Sequence, residues 1–315
     1  MIAERLHELA QAGELQLPPP GTGQTRQRWA ALAGFAREDV VLGRLAEAHT
    51  DAAAILVELG AQPVQPGQVW GVWAAEPPVP VVHAHRVGEH WQLSGQKLWC
   101  SGAHTCTHTL LTARVGEQRA LFAVDLAQEG VRAVPDTWPA VGMAASDSGA
   151  VDLDRADAVM VGAAGDYLSR PGFWHGAIGV GASWYGGACG VADALLAKAS
   201  ACRADEHALA HLGHVSTALS GARWALSAAA EEVDADPRDE QGAAQSRAHR
   251  VRALVEAAAT ETIQHVGRAL GAGPLCTDGA HARRVADLTV YLRQSHAERD
   301  LAVLGRLVAE NGATW

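Results

Sequence analysis

The sequence lacks the features that mark several large classes of protein. Nowhere do about 18 uncharged apolar residues follow one another, as a membrane span requires, and the first residues, MIAERLHELAQAGELQLPPPG, contain no apolar run of the kind found in signal peptides. The net charge is −10, whereas nucleic-acid-binding proteins present clusters of lysine and arginine. We therefore expect no membrane segment, no export signal and no nucleic-acid partner.

Cysteine pairs and phosphate-binding loops are also missing. The five cysteines are scattered and include no C-x-x-C pair, which favours a reducing compartment and predicts a cytoplasmic location. The glycine-rich stretch GAIGVGASWYGGACG, residues 176–190, spells neither a dinucleotide-binding nor a P-loop motif, and Ser183 lacks the second glycine of a nucleophile elbow. We interpret these glycines as sites of close helix packing.

Three regions with different sequence patterns follow one another along the 315 residues, 48% of which are hydrophobic. Residues 1–60 have helical periodicity, broken at PPPGTG, and residues 61–160 alternate apolar and polar positions between turns, which predicts about six strands. Four long helices are then expected at about 172–202, 206–233, 242–271 and 281–311. Strands grouped between helices predict an α+β multi-domain protein rather than a doubly wound sheet.

Two histidine-containing groups are candidate metal ligands. Cys100, His104, Cys106 and His108 are ligand types that zinc accepts, but on a strand covering 104–113 same-face neighbours would lie ~7 Å apart, too far to share one ion. His207, His211 and His214 fall on one helical face without a carboxylate motif. We interpret both groups as ordinary surface or packing residues and predict no metal site.

Three segments together resemble the acyl-CoA dehydrogenase family. GVWAAEPP followed by GEHWQLSGQKLWCSG is similar to the family's T-E-P stretch and its G-x-K-x-W-I-[ST]-N hairpin. AVGMAASDSGAVDLDRADA resembles G-x-R-A-S-D-T-x-x-[LV]-x-F-D-[DN]-V, and HARRVADLTVYLRQ resembles R-x-x-R-D-A-K-I-Y. The order is the family's, from residue 70 to the end of the sequence.

The resemblance implies a domain plan and a cofactor. It predicts a shortened helical N-terminal domain (1–68), a β-barrel-like middle domain (69–165) and a C-terminal four-helix bundle (166–315). It also implies FAD, an acyl-CoA or similar acyl substrate, and a homodimer or homotetramer. The stretch GASWYGGACGVADALLAKA, read as an exposed apolar face, supports assembly.

The same resemblance assigns site residues. Trp99 would pack beside the flavin ring and Ser101 would hydrogen-bond its edge, with Cys100 between them in the flavin wall. Glu76 corresponds to the glutamate of T-E-P, whose threonine is replaced by Ala75. Arg203 is the nearest candidate for the arginine that reaches the FAD pyrophosphate.

The family's catalytic base is the main departure. Its usual position corresponds to Ser295 and its alternative position to Val180 or Gly181, none of which can remove a proton. Glu298, one helical turn further on, is the nearest carboxylate and our candidate catalytic residue. Three hypotheses follow: an acyl-CoA dehydrogenase-like oxidoreductase, a flavin-dependent monooxygenase in which His296 or another polar group faces the flavin, or a non-catalytic binding subunit.

Overall fold

Three helices precede the first strand in the computed structural model, which describes residues 2–312. They are α1 (Ile2–Gln11), α2 (Thr25–Glu38) and α3 (Val40–Glu58). The predicted break at residues 18–23 separates α1 from α2, because its three prolines provide no backbone N–H for a helical ladder. The structure divides into two compact units. The β unit comprises Leu45–Ala140, Ala144–Phe173 and the chain through Leu17, and the helical unit comprises Pro18–Arg44, Val141–Met143 and the chain from Trp174. The finer three-domain boundaries stay a prediction.

The described residues of the β unit form seven strands. They are β1 (Trp70–Trp73), β2 (His83–Val87), β3 (His90–Lys97), β4 (His108–Val115), β5 (Gln118–Asp125), β6 (Val131–Val134) and β7 (Ala150–Val161). Strand pairing runs β1-β4-β2-β3-β7-β5, and β5 pairs back to β4 to close a small barrel. The barrel confirms the expected middle-domain architecture. One strand more than expected is present, and Ala84 is the only buried residue of β2, so that strand has a weak sequence signal.

The barrel core is built from the inward positions of these strands. β4 is buried along most of its length because it pairs with β1, β2 and β5 at once. Its apolar residues pack with those of β3, β5 and β7, including Leu93, Leu111, Phe122 and Val151. The strand begins at His108, where the run HTLLTAR begins, and the strand over 104–113 that the metal-site argument considered does not form. His104 and Cys106 lie in the turn before it.

The helical unit contains the chain from Trp174. In the described residues the helices after β7 are α4 (Asp166–Ser169), which belongs to the β unit, α5 (Pro171–Ser200), α6 (Glu206–Ala235), α7 (Ala244–Leu270), α8 (Gly273–Thr277), α9 (Gly279–Tyr291) and α10 (Glu298–Asn311). The glycines of α5 serve close packing, as predicted. A Cβ atom at Gly186 would lie 2.0 Å from the Ala33 carbonyl oxygen of α2. The apolar face of α5 is therefore buried within the chain, contrary to our expectation of an exposed face, and Ala182, Trp184 and Ala188 are all fully buried.

The fourth predicted helix is interrupted. A 3-10 turn, Leu292–Gln294, ends α9, and α10 begins after Ala297, whose φ of 44° lies in the left-handed region. Polar side chains satisfy the backbone at this break: Ser295 Oγ accepts from the Ala297 N–H (3.2 Å) and Asp300 Oδ2 from the His296 N–H (3.2 Å). Local hydrogen bonds of this kind compete with the helical ladder, so a continuous helix over 281–311 was a wrong prediction.

The histidines of α6 were considered in the sequence as candidate metal ligands. His211 and His265 approach at Nδ1 to 2.8 Å, and His214 contacts Glu261 (3.2 Å), so the histidine face of α6 packs against α7. Within residues 2–312, no three His, Cys, Asp or Glu side chains are arranged to hold a metal ion.

None of the helices in residues 2–312 combines the length and the apolar character that crossing a membrane demands.

Candidate functional site

Two loops that lie far apart in the sequence are joined by backbone hydrogen bonds in the β unit. The first, WCSGA at 99–103, follows β3, and the second, ASDSG at 145–149, precedes β7. Three N–H groups of the first loop donate to carbonyls of the second: Cys100 to Gly149 (2.9 Å), Gly102 to Ser146 (2.8 Å) and Ala103 to Asp147 (3.2 Å). Two of the three motifs that carry the family resemblance are thus one structural feature.

Trp99 presents its indole to the surface of this feature. The side chain is 54% exposed, while its neighbour Cys100 is fully buried. Its φ of 58° lies in the left-handed region, which is unfavourable for a bulky residue and persists only where the surrounding structure holds it. Such outliers cluster at functional sites. An exposed aromatic plane held in this way suits one side of a flat conjugated ring.

Ser101 begins a chain of three serine hydroxyls. Its Oγ lies 2.9 Å from Ser148 Oγ, which lies 2.8 Å from Ser146 Oγ, and all three side chains are buried. The Ser101 carbonyl is fixed by the Trp73 indole N–H at 3.0 Å. Each hydroxyl has one donor and two acceptor positions. Ser101 can therefore accept from Ser148 while donating to a group beside Trp99.

Cys100 lies in the barrel core. Its thiol is 3.3 Å from the Lys97 carbonyl oxygen, and burial raises its pKa far above the usual range. The thiol therefore stays protonated and packs as a small apolar group. The contribution of Cys100 to a cofactor wall would come through its backbone. Its assignment as a cofactor-binding residue stays a prediction.

Glu76 is the counter-charge of a half-buried cationic cluster. Its Oε2 lies 2.5 Å from Arg119 and 3.8 Å from Arg114. Close by, the Lys97 ammonium donates to the carbonyl (2.8 Å) and hydroxyl (2.9 Å) of Thr112. Burial lowers the pKa of Lys97 to about 8, partly opposed by the Glu76 charge. In this cluster Glu76 compensates positive charge, and its assignment to cofactor binding stays a prediction.

Arg203 and Glu298 lie in the helical unit. Arg203 is exposed in the connection between α5 and α6, where its N–H donates to the Lys198 carbonyl (3.2 Å). Glu298 is an exposed first residue of α10. Both assignments stay predictions. Val180 and Gly181, at the family's alternative base position, lie within α5 and provide no ionisable group.

Asp287 is a buried carboxylate that sequence reasoning did not assign. It accepts from the Met143 N–H (2.5 Å), and burial raises its pKa. A Cβ at Gly142 would lie 2.2 Å from the Ala286 carbonyl oxygen, so the segment 141–143 packs directly on α9. Where the family pattern has an Arg-Asp pair, the Ala-Asp pair here keeps the aspartate that anchors this segment.

Sequence reasoning also missed the residues behind Trp99 and Ser101. Ser146 and Ser148 complete the hydroxyl chain, and Asp147 accepts from both the backbone N–H (2.7 Å) and the Nδ1 (2.8 Å) of His104. The S-D-S triplet was visible within the family-like motif. Its pairing with WCSGA depends on two loops meeting, which no local pattern reveals.

A family model and solved structures match this architecture. Residues 78–156 match the acyl-CoA dehydrogenase middle domain, which confirms the resemblance seen in the sequence for this segment. No curated protein matches the sequence. The solved structures share 15–19% identity with the chain, so they establish the fold alone.

Three of these structures show the extent of the likeness. Dibenzothiophene monooxygenase TdsC from Paenibacillus sp. A11-2 is 15% identical with a TM-score of 0.79, covering 99% of this chain and 97% of its own. Methanesulfinate monooxygenase MsuC from Pseudomonas fluorescens is 18% identical with a TM-score of 0.77 (100% and 96%). A nitrososynthase from Micromonospora carbonacea var. africana is 18% identical with a TM-score of 0.80 (99% and 89%). TdsC has also been solved with FMN and indole, and KijD3, which is 19% identical with a TM-score of 0.79 (99% and 87%), with FMN and a dTDP-linked amino sugar. The protein therefore has the acyl-CoA dehydrogenase-like fold.

Proposed function

We propose that this protein is a flavin-dependent monooxygenase that uses reduced FMN. The observation that carries the proposal is the missing base. The family's usual position for the catalytic carboxylate holds Ser295, and its alternative position falls at Val180 or Gly181. Glu298 is exposed on a separate helix beyond the break at 292–297. Removal of the proton α to a thioester needs a base within hydrogen-bond reach, whereas oxygen transfer from a reduced flavin does not.

The residues of the Trp99 loop fit a flavin. Trp99 offers an exposed aromatic plane, and Ser101, backed by Ser148, offers a hydroxyl donor whose position is held by two hydrogen bonds. This combination matches a ring system that is flat and apolar on its faces and polar along its edge. The structures of TdsC with FMN and of KijD3 with FMN make FMN, rather than the FAD implied by the sequence resemblance, the flavin we propose.

The bound flavin would supply two electrons, so that O₂ delivers one oxygen atom to the substrate and the other leaves as water. Trp99 would cover one part of the ring and keep water from it. Ser101 would donate its hydroxyl hydrogen to an edge acceptor, and the Ser148 and Ser146 hydroxyls would hold that hydrogen in position. The organosulfur and amino-sugar chemistry named for the related structures makes a small sulfur- or nitrogen-containing compound our proposed substrate.

Oxygen consumption tests the proposal. The purified chain is supplied with FMN and a separate NADH-dependent flavin reductase, and O₂ uptake is followed with catalase present to remove peroxide made by free reduced flavin. We expect substrate-dependent O₂ uptake and a product heavier by one oxygen atom in mass spectrometry, labelled when ¹⁸O₂ is used. Dibenzothiophene, indole and methanesulfinate are the first substrates to test.

Ser101→Ala and Ser169→Ala form a matched pair for this assay. Loss of a hydrogen bond to a developing charge typically costs 1.5–3 kcal/mol, so Ser101→Ala should lower turnover by roughly tenfold to a hundredfold. Ser169 is exposed and its hydroxyl contacts only its own turn (Asp166 carbonyl, 3.4 Å), so its alanine variant should keep full turnover. Rapid anaerobic bleaching of bound flavin by butyryl-CoA, without any oxygenated product, would contradict the proposal and favour a dehydrogenase.

A further inference from the structure

A cavity of about 170 Å³ lies in the β unit and does not include Trp99 or Ser101 in its lining. Its walls come from the loop 75–82, from Gln96–Leu98 at the end of β3, and from Thr112 and Arg114 of β4. One buried water needs only ~10–15 Å³ of such space, so the cavity has room for a small organic or inorganic molecule. The proline-rich loop and Leu98 make much of the wall apolar, and the polar groups are confined to one region.

That polar region carries excess positive charge. Lys97, Arg114 and Arg119 share a single carboxylate, Glu76, whose Oε2 serves both arginines. Lys97 is 4% exposed, so its ammonium group is shielded from bulk water. Electrostatic interactions are stronger in such surroundings. An anion within the cavity would offset the two uncompensated positive charges.

Some of the polar groups in and beside this region lack a hydrogen-bond partner. An ammonium group has three donors, and Lys97 directs two of them to Thr112. Arg119 Nε and Glu76 Oε1 are both buried without a hydrogen-bond partner. Buried polar groups normally have partners, and their absence marks a place where another molecule completes the network. Of these residues Lys97 and Glu76 line the cavity and Arg119 does not, so the cavity has a donor for an anionic oxygen at Lys97 and an acceptor for a hydroxyl group at Glu76.

We propose that this cavity binds a small oxyanion that also carries a hydroxyl group, such as hydrogen phosphate or a short hydroxy acid. The anionic oxygens contact Lys97 and Arg114, and the hydroxyl donates to Glu76. Arg119 holds Glu76 in position from behind. Neither Trp99 nor Ser101 lines the cavity, and the proposed anion needs no flavin for its contacts.

Isothermal titration calorimetry with inorganic phosphate tests the site, using the flavin-free full-length chain at pH 7 and constant ionic strength. We expect saturable binding of one phosphate per chain. Arg114→Gln should weaken it by at least tenfold, since a charge-assisted hydrogen bond contributes about 1.5–3 kcal/mol. Arg86→Gln is the matched control: Arg86 is exposed on the neighbouring strand and donates only to the Gly88 carbonyl, so phosphate affinity should be unchanged.

Sulfate distinguishes the hydroxyl contact from simple charge attraction. Sulfate has no hydroxyl at pH 7, so phosphate should bind several times more tightly. Sulfate keeps its charge at alkaline pH, and its affinity should fall above pH 8 as Lys97 loses its proton among Glu76, Arg114, Arg119 and Cys100. Absence of saturable phosphate binding overturns the proposal, as does equal affinity for sulfate and phosphate or equal weakening by the Arg114 and Arg86 variants.

Discussion

Lys97 should titrate near pH 8 and should lower the stability of the protein at neutral pH. Burial lowers its pKa to about 8, with the Glu76 charge opposing and Arg119 adding to the shift. In the unfolded chain a lysine titrates near ~10.4. Between these two values the unfolded chain binds more protons than the folded one, so stability rises with pH. The calculated rise from pH 7 to pH 10 is about 2–3 kcal/mol.

The sequence makes this titration simple to observe, because it contains only two lysines, Lys97 and Lys198. Selective ¹³C-lysine labelling should give two Cε signals, and Lys97→Met should remove the one that titrates near pH 8. In urea unfolding, the stability of the wild type relative to Lys97→Met should rise by the calculated amount between pH 7 and pH 10. Lys198→Met measures what an unrelated lysine exchange does to the same curve.

A single result would refute the reasoning about Lys97. If the signal lost in Lys97→Met titrates above pH 10 and the stability difference is flat with pH, the ammonium group is hydrated and the cluster around Glu76 is open to bulk water. The oxyanion site would then lose its shielded cation as well.

Three further predictions concern the flavin and the assembly. Trp99→Ala should weaken FMN binding by roughly tenfold in a fluorescence titration, from the lost aromatic contact, while Trp224→Ala, which removes another exposed tryptophan, should leave it unchanged. Butyryl-, octanoyl- and palmitoyl-CoA should bleach bound flavin slowly or not at all under anaerobic conditions, and rapid bleaching that Glu298→Gln abolishes would identify a displaced base. Sedimentation should give a homodimer at micromolar concentration, weakened by Trp224→Asp on the exposed face of α6, and a monomer of about 33 kDa for the wild type would count against assembly.

The parts of the fold that could be predicted are those in which a local pattern and the tertiary packing agree. Helices α5, α6 and α7 begin and end within three residues of their expected bounds, because their apolar and small residues recur at helical spacing and polar loops separate them. The main failure lies where side-chain hydrogen bonds decide. Ser295 and Asp300 end a helix that composition alone would continue.

The candidate site likewise contains residues that a sequence motif predicts and residues whose roles only the tertiary packing determines. W-C-S-G predicted that Trp99 and Ser101 would act together, and the structure places an exposed indole next to a buried hydroxyl. The Ser148 hydroxyl that holds Ser101 comes from a loop 47 residues further along the chain, so its role depends on the barrel closing. For the missing catalytic base, the sequence was informative without any tertiary contact. Because Ser295 stands where the family pattern has a carboxylate, the sequence alone argues against a dehydrogenase, and the break before α10 lies between Ser295 and Glu298. The proposed oxygen transfer needs a flavin wall without the base, and Trp99 and Ser101 beside a serine at position 295 are the combination that this proposal requires.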